Sequence, residues 1–187
     1  MKNNALAAAN LLERIGQLTR SDEQIGGLYP AQWAALRYFA RANRFSRTPM
    51  ALTHYLGSTR GTVSQTIIAL ERKGLVTRTP SERDKRSVDV ELTTTGKNTL
   101  LNDPILHLAE NIASATKEQA KTTRKLLEKI LLQLVEENSG NAFGQCKTCL
   151  HFGKNVGATD KDRYFCGLLQ IELSEEDSEN ICVEQVA

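Results

Sequence analysis

What the sequence lacks excludes several classes of protein. No run of about 18 apolar residues occurs, so a membrane-spanning helix is not expected. The first residues, MKNNALAAANLLERIG, do not place a long apolar stretch behind a basic one, as a secretory signal does. Glycine-rich phosphate loops, Gly-x-Ser-x-Gly and His-Glu-x-x-His are all missing. We therefore expect a cytoplasmic protein that has no membrane partner and is not an enzyme.

Cysteine is scarce, and its distribution is uneven. The 187-residue chain has four cysteines, all of them beyond residue 145. Cys146 and Cys149 form a Cys-x-x-Cys pair, followed after 16 residues by Cys166 and after 15 more by Cys182. In a reducing compartment, clustered cysteines more often serve metal or redox chemistry than structural disulfides. Four thiolates suffice for a tetrahedral zinc site or an iron-sulfur cluster, so we predict a metal centre at these four residues.

The spacing leaves the identity of the metal open. The usual zinc ribbon has a second Cys-x-x-Cys pair, which this chain lacks, and the separate spacings suit an iron-sulfur cluster slightly better. His151 lies near the pair in sequence and is a spare ligand. Reduced or disulfide-linked cysteines are the simpler alternative. A Cys-x-x-Cys oxidoreductase is another, although CKTC lacks the strand-helix setting of thioredoxin-like chemistry.

Charge is distributed unevenly along the chain. The formal net charge is only +2, but residues 41–97 carry eleven Lys or Arg against five acids. Residues 141–187 carry four basic residues against eight acids. The basic middle indicates a polyanionic partner, and the acidic tail is expected to face away from that partner.

Helical periodicity predicts a mainly α fold with a helix-turn-helix. Apolar residues recur at helical spacing in residues 5–19, and a second helix begins at Pro30 in PAQWAALRYFARANR. The core residues predicted for this second helix are Trp33, Leu36, Tyr38, Phe39 and Ala40. Two short helical patterns follow, separated by Gly57, with Ser58 as N-cap and Gly74 as C-cap of the later one. So tight a turn between two helices is typical of a helix-turn-helix.

The later helix has the composition of a DNA-reading helix. Val63, Ile67 and Leu70 form one apolar face and leave short hydrogen-bonding side chains on the other. Arg60 is predicted to contact guanine and Gln65 to contact adenine. Ser58, Thr59, Thr62 and Ser64 are predicted to contact phosphates or bases. Further DNA contacts, mainly to phosphates, are predicted for Arg47, Thr48, Arg72, Lys73 and Arg78.

Two strands around a charged turn follow the helix. Val88, Val90 and Leu92 alternate with polar residues, and the tip SERDKR carries Arg83, Lys85 and Arg86. Long basic side chains on a thin ribbon reach into a narrow minor groove, where the negative potential is concentrated. We interpret this hairpin as the wing of a winged helix-turn-helix.

The stretch TVSQTIIALERKGLVTRTPSERDKRSVDVELTTTG resembles the winged helix-turn-helix core of the MarR family of bacterial transcriptional regulators. The shared features are the Leu-x-x-x-Gly-Leu-Val-x-Arg connection, the Asp-x-Arg wing tip and the Leu-Thr-x-x-Gly exit, and the resemblance covers about residues 5–137. It implies a homodimer with intertwined terminal helices, which places two recognition helices in successive major grooves of a palindromic operator. It also implies that Asp84 orients Arg86 into the minor groove.

The helices beyond the wing suit a dimer. Residues 94–115 carry an apolar face and contain Pro104, which is expected to bend that helix. Thr116 and Gln119 are predicted to form a capping box for a helix with a broad leucine-rich face, which a second subunit would cover. The predicted domains are a dimerisation helix (1–29), the winged helix-turn-helix (30–96), C-terminal dimerisation helices (97–138) and a cysteine-rich extension (139–187).

These patterns predict a DNA-binding transcriptional regulator, a repressor whose operator binding is modulated by the four-cysteine centre. Three alternatives remain open. Many relatives in the resembling family respond to small aromatic acids, so a small organic ligand with a purely structural zinc tail is one. A Cys-x-x-Cys redox protein is another. The third is a winged-helix domain retained for protein contacts, with the metal tail as a docking site.

Overall fold

The structure is a computed structural model, and it describes residues 2–21, 27–81, 86–116, 119–137, 141–155 and 163–186. Its elements are, in chain order, α1 (Lys2–Ser21), α2 (Pro30–Arg41), α3 (Pro49–Leu56), α4 (Arg60–Arg72), β1 (Val76–Pro80), β2 (Val88–Leu92), α5 (Thr94–Thr99), α6 (Ile105–Thr116), α7 (Ala120–Glu137), β3 (Phe152–Asn155), β4 (Arg163–Cys166), β5 (Ile171–Leu173) and α8 (Glu175–Glu179). Within these ranges, none of the helices combines the length and hydropathy that crossing a bilayer requires.

Helix α2 lies at the centre of the main apolar core. Pro30 occupies its first turn, as predicted, because the N–H that proline lacks would have no helical partner there. The large side chains predicted for the core are buried, namely Trp33, Leu36, Tyr38 and Phe39. Ala40 is exposed, which corrects its predicted core position. Around α2 pack buried residues of α3, α4 and both wing strands.

The turn between α3 and α4 confirms the predicted helix-turn-helix. Gly57 has a φ of +57°, a left-handed conformation that glycine adopts without steric cost, and it ends α3. The N-cap of α4 is Thr59 rather than the predicted Ser58, because the Thr59 hydroxyl accepts the N–H of Thr62 at 3.2 Å. The helix therefore begins at Arg60. At its other end the C-cap is Lys73 rather than the predicted Gly74, which follows it with a left-handed φ of +69°.

The predicted wing is an antiparallel pair of strands. Val76 pairs with Leu92 and Pro80 with Val88, so β1 and β2 converge toward residues 82–85, which lie outside the described residues. Val90 is buried in the main core, whereas its neighbour Glu91 is exposed, in agreement with the predicted alternation. This packing fixes the base of the wing against the helix-turn-helix.

The chain does not continue as one bent helix through Pro104. Helix α5 ends in a 3-10 turn at Leu100–Asn102, and α6 begins anew at Ile105. Asp103 caps the new helix, since its carboxylate accepts the N–H of Ile105 at 2.9 Å. The same buried carboxylate pairs with Arg37 of α2, with Nε to Oδ2 at 2.8 Å and Nη2 to Oδ1 at 2.9 Å. The predicted bend is therefore a break, and this ion pair fixes it to the core.

The terminal helices expose the apolar faces that the sequence predicts. Helices α6 and α7 bury no residue in the part of the chain that the structure describes. Their exposed apolar side chains, together with those of α1, are Leu6, Leu11, Leu12, Ile15, Leu18, Ile105, Leu106, Ile112, Leu126, Leu127, Leu131, Leu132 and Leu134. The predicted capping box between Thr116 and Gln119 spans residues 117–118, which lie outside the described residues.

The C-terminal module, residues 141–155 and 163–186, forms a three-stranded antiparallel sheet in the order β3-β4-β5, followed by α8. No strands were predicted from the sequence in this module. The strands are only three or four residues long, too short to show a clear alternation of apolar and polar residues. The prediction for this segment rested on the cysteine spacing alone.

Candidate nucleic-acid interface and cysteine cavity

Helix α4 presents its polar residues to solvent on a rigid support. Val63, Ile67 and Leu70 are buried at 0–1% exposure, which fixes the rotation of the helix about its axis. The residues predicted to read DNA from this helix are exposed, namely Arg60, Thr62, Ser64 and Gln65, and so is Thr59. Ser58 is half-buried. The Thr59 and Thr62 hydroxyls lie 2.9 Å apart, so both are partly committed to capping the helix.

Two of the residues predicted to contact phosphates already have partners on the protein. Arg78 donates from Nε to Glu71 Oε2 at 2.9 Å, and this hydrogen bond lowers the pKa of Glu71. Lys73 donates to the Gly27 carbonyl at 2.6 Å. Both side chains lie at the surface, where water screens such contacts and weakens them. Arg72 is exposed as well.

Arg47 and Thr48 are used to build the fold. The Arg47 guanidinium donates to the Ala42 carbonyl at 3.0 Å and lies 3.3 Å from Glu176 and 3.7 Å from Glu91. The Thr48 hydroxyl caps α3 by accepting the N–H of Ala51 at 3.2 Å. The ion pair of Arg47 has no local sequence signal, because Glu176 belongs to α8, more than 120 residues later.

The wing tip is only partly described. Arg83, Asp84 and Lys85 lie outside the described residues, so the predicted orientation of Arg86 by Asp84 stays a prediction. Arg86 itself is exposed at the end of the hairpin.

The four cysteines line one small cavity. It has a volume of about 20 Å³, and its walls are Cys146, Cys149, His151, Phe152, Cys166, Leu168, Leu169, Leu173, Cys182 and Glu184. The four cysteines are free thiols; Cys146 and Cys182 are buried, and Cys149 and Cys166 are half-buried. The fold therefore gathers thiols that lie up to 36 positions apart in sequence. Within the described ranges, no group of three or more His, Cys, Asp and Glu side chains is arranged so that it could hold a metal ion.

Hydrogen bonds polarise the sulfur atoms. The Asn43 side-chain amide donates to Cys146 Sγ at 3.2 Å, and the backbone N–H of Val186 donates to Cys149 Sγ at 3.5 Å. A hydrogen bond to Cys182, reinforced by burial, raises the pKa of the Cys146 thiol. The same hydrogen bond lowers the pKa of Cys182 to about 6. The shared hydrogen bond thus favours the thiolate form at Cys182 over Cys146.

The C-terminal module packs against the segment that leads into the helix-turn-helix. The Ile181 N–H donates to the Arg41 carbonyl at 2.8 Å, and the Asn43 N–H donates to the Ile181 carbonyl at 2.9 Å. The Val183 N–H donates to Ser46 Oγ at 2.9 Å. Ile181 is itself a member of the main core. The module is therefore anchored to the DNA-binding domain by main-chain bonds.

Charge pairing strengthens this contact. Arg44 Nε lies 3.3 Å from Asp177 Oδ2, and Arg47 lies 3.3 Å from Glu176, so two acids of α8 face two arginines of the basic region. Asp177 is buried and also completes a capping box with Ser174. These acids of α8 neutralise arginines of the chain itself, and the expectation that the acidic tail faces away from a polyanionic partner stays a prediction.

A second cavity lies between the terminal helices and the winged helix. Its volume is about 430 Å³, and residues of α2, α3, α6 and the 3-10 turn line it, including Arg41, Tyr55 and Ile105. This volume lies within the range of small-molecule pockets.

The fold and the exposed helix define a winged helix-turn-helix protein. Residues 27–87 match the model of the MarR family. No curated protein sequence matches the chain. This segment is therefore similar to the MarR family, and it contains the helix-turn-helix and the first wing strand. The resemblance inferred from the sequence is thus confirmed for the winged-helix part.

Solved structures show the same fold over most of the chain. A MarR transcriptional regulator from Methanosarcina mazei Go1 is 24% identical with a TM-score of 0.57, over 72% of this chain and 98% of that one. A MepR-DNA complex from S. aureus gives 21% identity and a TM-score of 0.55, over 70% and 97%. A mutant MarR from E. coli is 26% identical with a TM-score of 0.51, over 66% and 95%.

Proposed function

We propose that the protein is a non-enzymatic transcriptional regulator that binds duplex DNA in a sequence-specific manner. The observation that carries this proposal is α4, where exposed Arg60, Thr62, Ser64 and Gln65 stand on a helix held by three buried side chains. Ordinary surface helices prefer longer charged residues, whereas short polar groups let a helix approach base edges closely. Arg60 contacts guanine and Gln65 contacts adenine in this proposal.

The charge distribution favours the same surface. Residues 41–97 carry an excess of six positive charges, and Arg72, Lys73 and Arg78 are exposed near α4. In DNA complexes such residues contact phosphates and set affinity, not sequence preference. Arg83, Lys85 and Arg86 of the wing extend this basic surface into the adjacent minor groove, with Asp84 orienting Arg86.

We infer that the working form is a homodimer. The accessible surface of the chain is 12990 Å² for a mass of 20.7 kDa. A compact monomer of that mass exposes about 9000 Å². The exposed leucines of α1, α6 and α7 supply an apolar face for a second copy. A two-fold dimer presents two copies of α4 to successive major grooves, which matches a palindromic operator.

Regulation is proposed to act by repression, because a dimer on a promoter excludes polymerase from the same DNA. Two regulators of the binding are proposed. The cysteine centre is the first, since its module contacts residues 41–47 just before α3. A small organic ligand is the second, favoured by the 430 Å³ cavity between the terminal helices and the winged helix.

Two matched arginine variants test the DNA proposal. Arg60→Ala removes a base contact, so it lowers affinity for the operator by about 1 to 3 kcal/mol and leaves binding to random DNA nearly unchanged. Arg72→Ala removes the same charge at a predicted phosphate contact, so it weakens both kinds of DNA alike and reduces the salt slope by about 1. Fluorescence anisotropy on an operator mapped in the adjacent promoter measures both. If Arg60→Ala weakens operator and random DNA equally, the assignment of base reading to Arg60 is wrong.

A further inference from the structure

We propose that Cys146, Cys149, Cys166 and Cys182 form a four-thiolate metal centre that fastens the C-terminal module to the segment leading into the helix-turn-helix. The centre takes zinc or iron, both of which thiolates bind, and binding displaces the remaining thiol protons. This proposal does not depend on DNA binding, because metal content is measured independently of any operator.

The position of the four thiols is the first step of the argument. Cys146 begins the 3-10 turn Cys146–Thr148 and Cys149 follows it, whereas Cys166 ends β4 and Cys182 lies after α8. All four nevertheless line the same cavity. As they stand, the described side chains do not form a metal-binding group, so ligation requires the cysteines to change rotamer. Rotation about χ1 moves a cysteine sulfur by about 3 Å, so thiols around one small cavity can converge on an ion without a change of backbone. A volume of about 20 Å³ suits a single ion, and an iron-sulfur cluster requires the walls to move apart.

The surroundings of the sulfurs are those of thiolate ligands. Asn43 donates to Cys146 Sγ at 3.2 Å, and Val186 donates to Cys149 Sγ at 3.5 Å. Such donors orient ligands and stabilise negative sulfur, a role that neighbours of metal ligands commonly play. The rest of the wall is mostly apolar and includes Phe152, Leu169 and Leu173. Thiols that only filled space would need neither donor.

The described part of the module has only a small apolar core of its own. Its own buried cluster consists of Cys146, Cys182 and Leu173, with partly buried aromatic residues around it. Two of its three buried members are therefore cysteines. So small a core does not hold short strands together, whereas structural metal sites contribute folding energy directly.

The centre is coupled to the DNA-binding domain through its ligands. Cys182 lies between Ile181 and Val183, whose N–H groups donate to Arg41 and to Ser46. Cys146 accepts its hydrogen bond from Asn43, a fully buried residue of the same segment. Metal loss therefore loosens the contact that holds residues 41–47 in place.

Elemental analysis of the full chain, purified anaerobically with a reductant, tests the site. We expect about one zinc ion or one iron ion per chain, and bound iron(II) gives thiolate-to-iron absorption in the near ultraviolet. Cys149→Ser and Cys182→Ser lose the metal, and Leu168→Ala, which changes the same cavity wall without touching a metal-binding group, keeps it. Metal-free folded protein after growth with both metals would overturn the proposal, as would metal retention in both serine variants.

A second measurement uses the wild-type protein, so it does not depend on whether the serine variants fold. Titration with an organomercurial is expected to release the metal as the four thiols are blocked. Release of the metal without thiol modification would contradict thiolate ligation. Removal of the metal by a chelator lowers the urea midpoint that Trp33 fluorescence reports. An unchanged Trp33 transition would show that the centre is not coupled to the winged helix.

Discussion

Substitution of Ile181 tests whether the C-terminal module is an integral part of the winged-helix core. Ile181 is 4% exposed and packs in the main cluster with residues of α2 and the wing, although it lies 89 positions after the end of β2. Ile181→Ala leaves its main-chain bonds to Arg41 and Asn43 in place and removes only packing. A buried isoleucine cut to alanine costs about 2 to 5 kcal/mol, and we expect about 3 kcal/mol at this site.

The assay uses the only tryptophan of the chain. Trp33 is buried in α2, so its fluorescence reports unfolding of the winged helix and not of the module. With a urea m-value of about 2 kcal/mol/M, a loss of 3 kcal/mol lowers the midpoint by about 1.5 M. Leu150→Ala is the control, since Leu150 belongs to the same module but is 74% exposed, and it changes stability by less than about 0.5 kcal/mol. A Trp33 transition in Ile181→Ala that coincides with wild type would refute the packing argument.

Two further predictions concern a close backbone approach and the dimer. A Cβ at Gly96 would lie 2.0 Å from the Leu75 carbonyl oxygen, so we expect Gly96→Ala to destabilise the fold by about 2 kcal/mol or more. Gly61→Ala is the control: its Cβ would meet nothing closer than 3.9 Å, so the change is neutral or stabilising. Urea unfolding at one protein concentration compares the two variants. Equal midpoints would contradict the predicted clash at Gly96. Leu131→Asp places an unpaired charge on the apolar face of α7, so we expect it to shift the protein toward monomer in sedimentation velocity. Gln133→Asp, at an exposed polar position of the same helix, leaves the dimer intact. A dimer that is unaffected by Leu131→Asp would place the subunit contact elsewhere.

Local patterns predicted the winged helix well. The Pro30 start, the Gly57 turn and the Gly74 stop are single-residue signals with fixed backbone consequences, and the structure has all three. The N-cap was missed by one residue because Ser58 and Thr59 are both good caps, and only the geometry of the first turn selects Thr59. The break at Pro104 depends on a long-range ion pair with Arg37, which no local pattern contains.

The cysteine site of the C-terminal module was predictable from the sequence, but the docking of the module was not. Cysteine spacing predicted a shared site, and the four thiols do line one cavity. Docking of the module onto residues 41–47 rests on Ile181, Asp177 and Glu176, which look like ordinary apolar and acidic residues in sequence. Arg47 is likewise paired with Glu176, a residue distant in sequence. Its phosphate contact stays a prediction, and that contact requires the ion pair with Glu176 to break.

The most direct test of the central claim is competition binding of the wild-type protein to DNA. A labelled promoter fragment is challenged with unlabelled fragment or with random duplex at physiological salt, and binding is followed by anisotropy at several salt concentrations. The account predicts that the specific fragment competes at least about 1000-fold better than random DNA and that affinity falls steeply with salt. Equal competition by the two DNAs would contradict sequence-specific reading by α4.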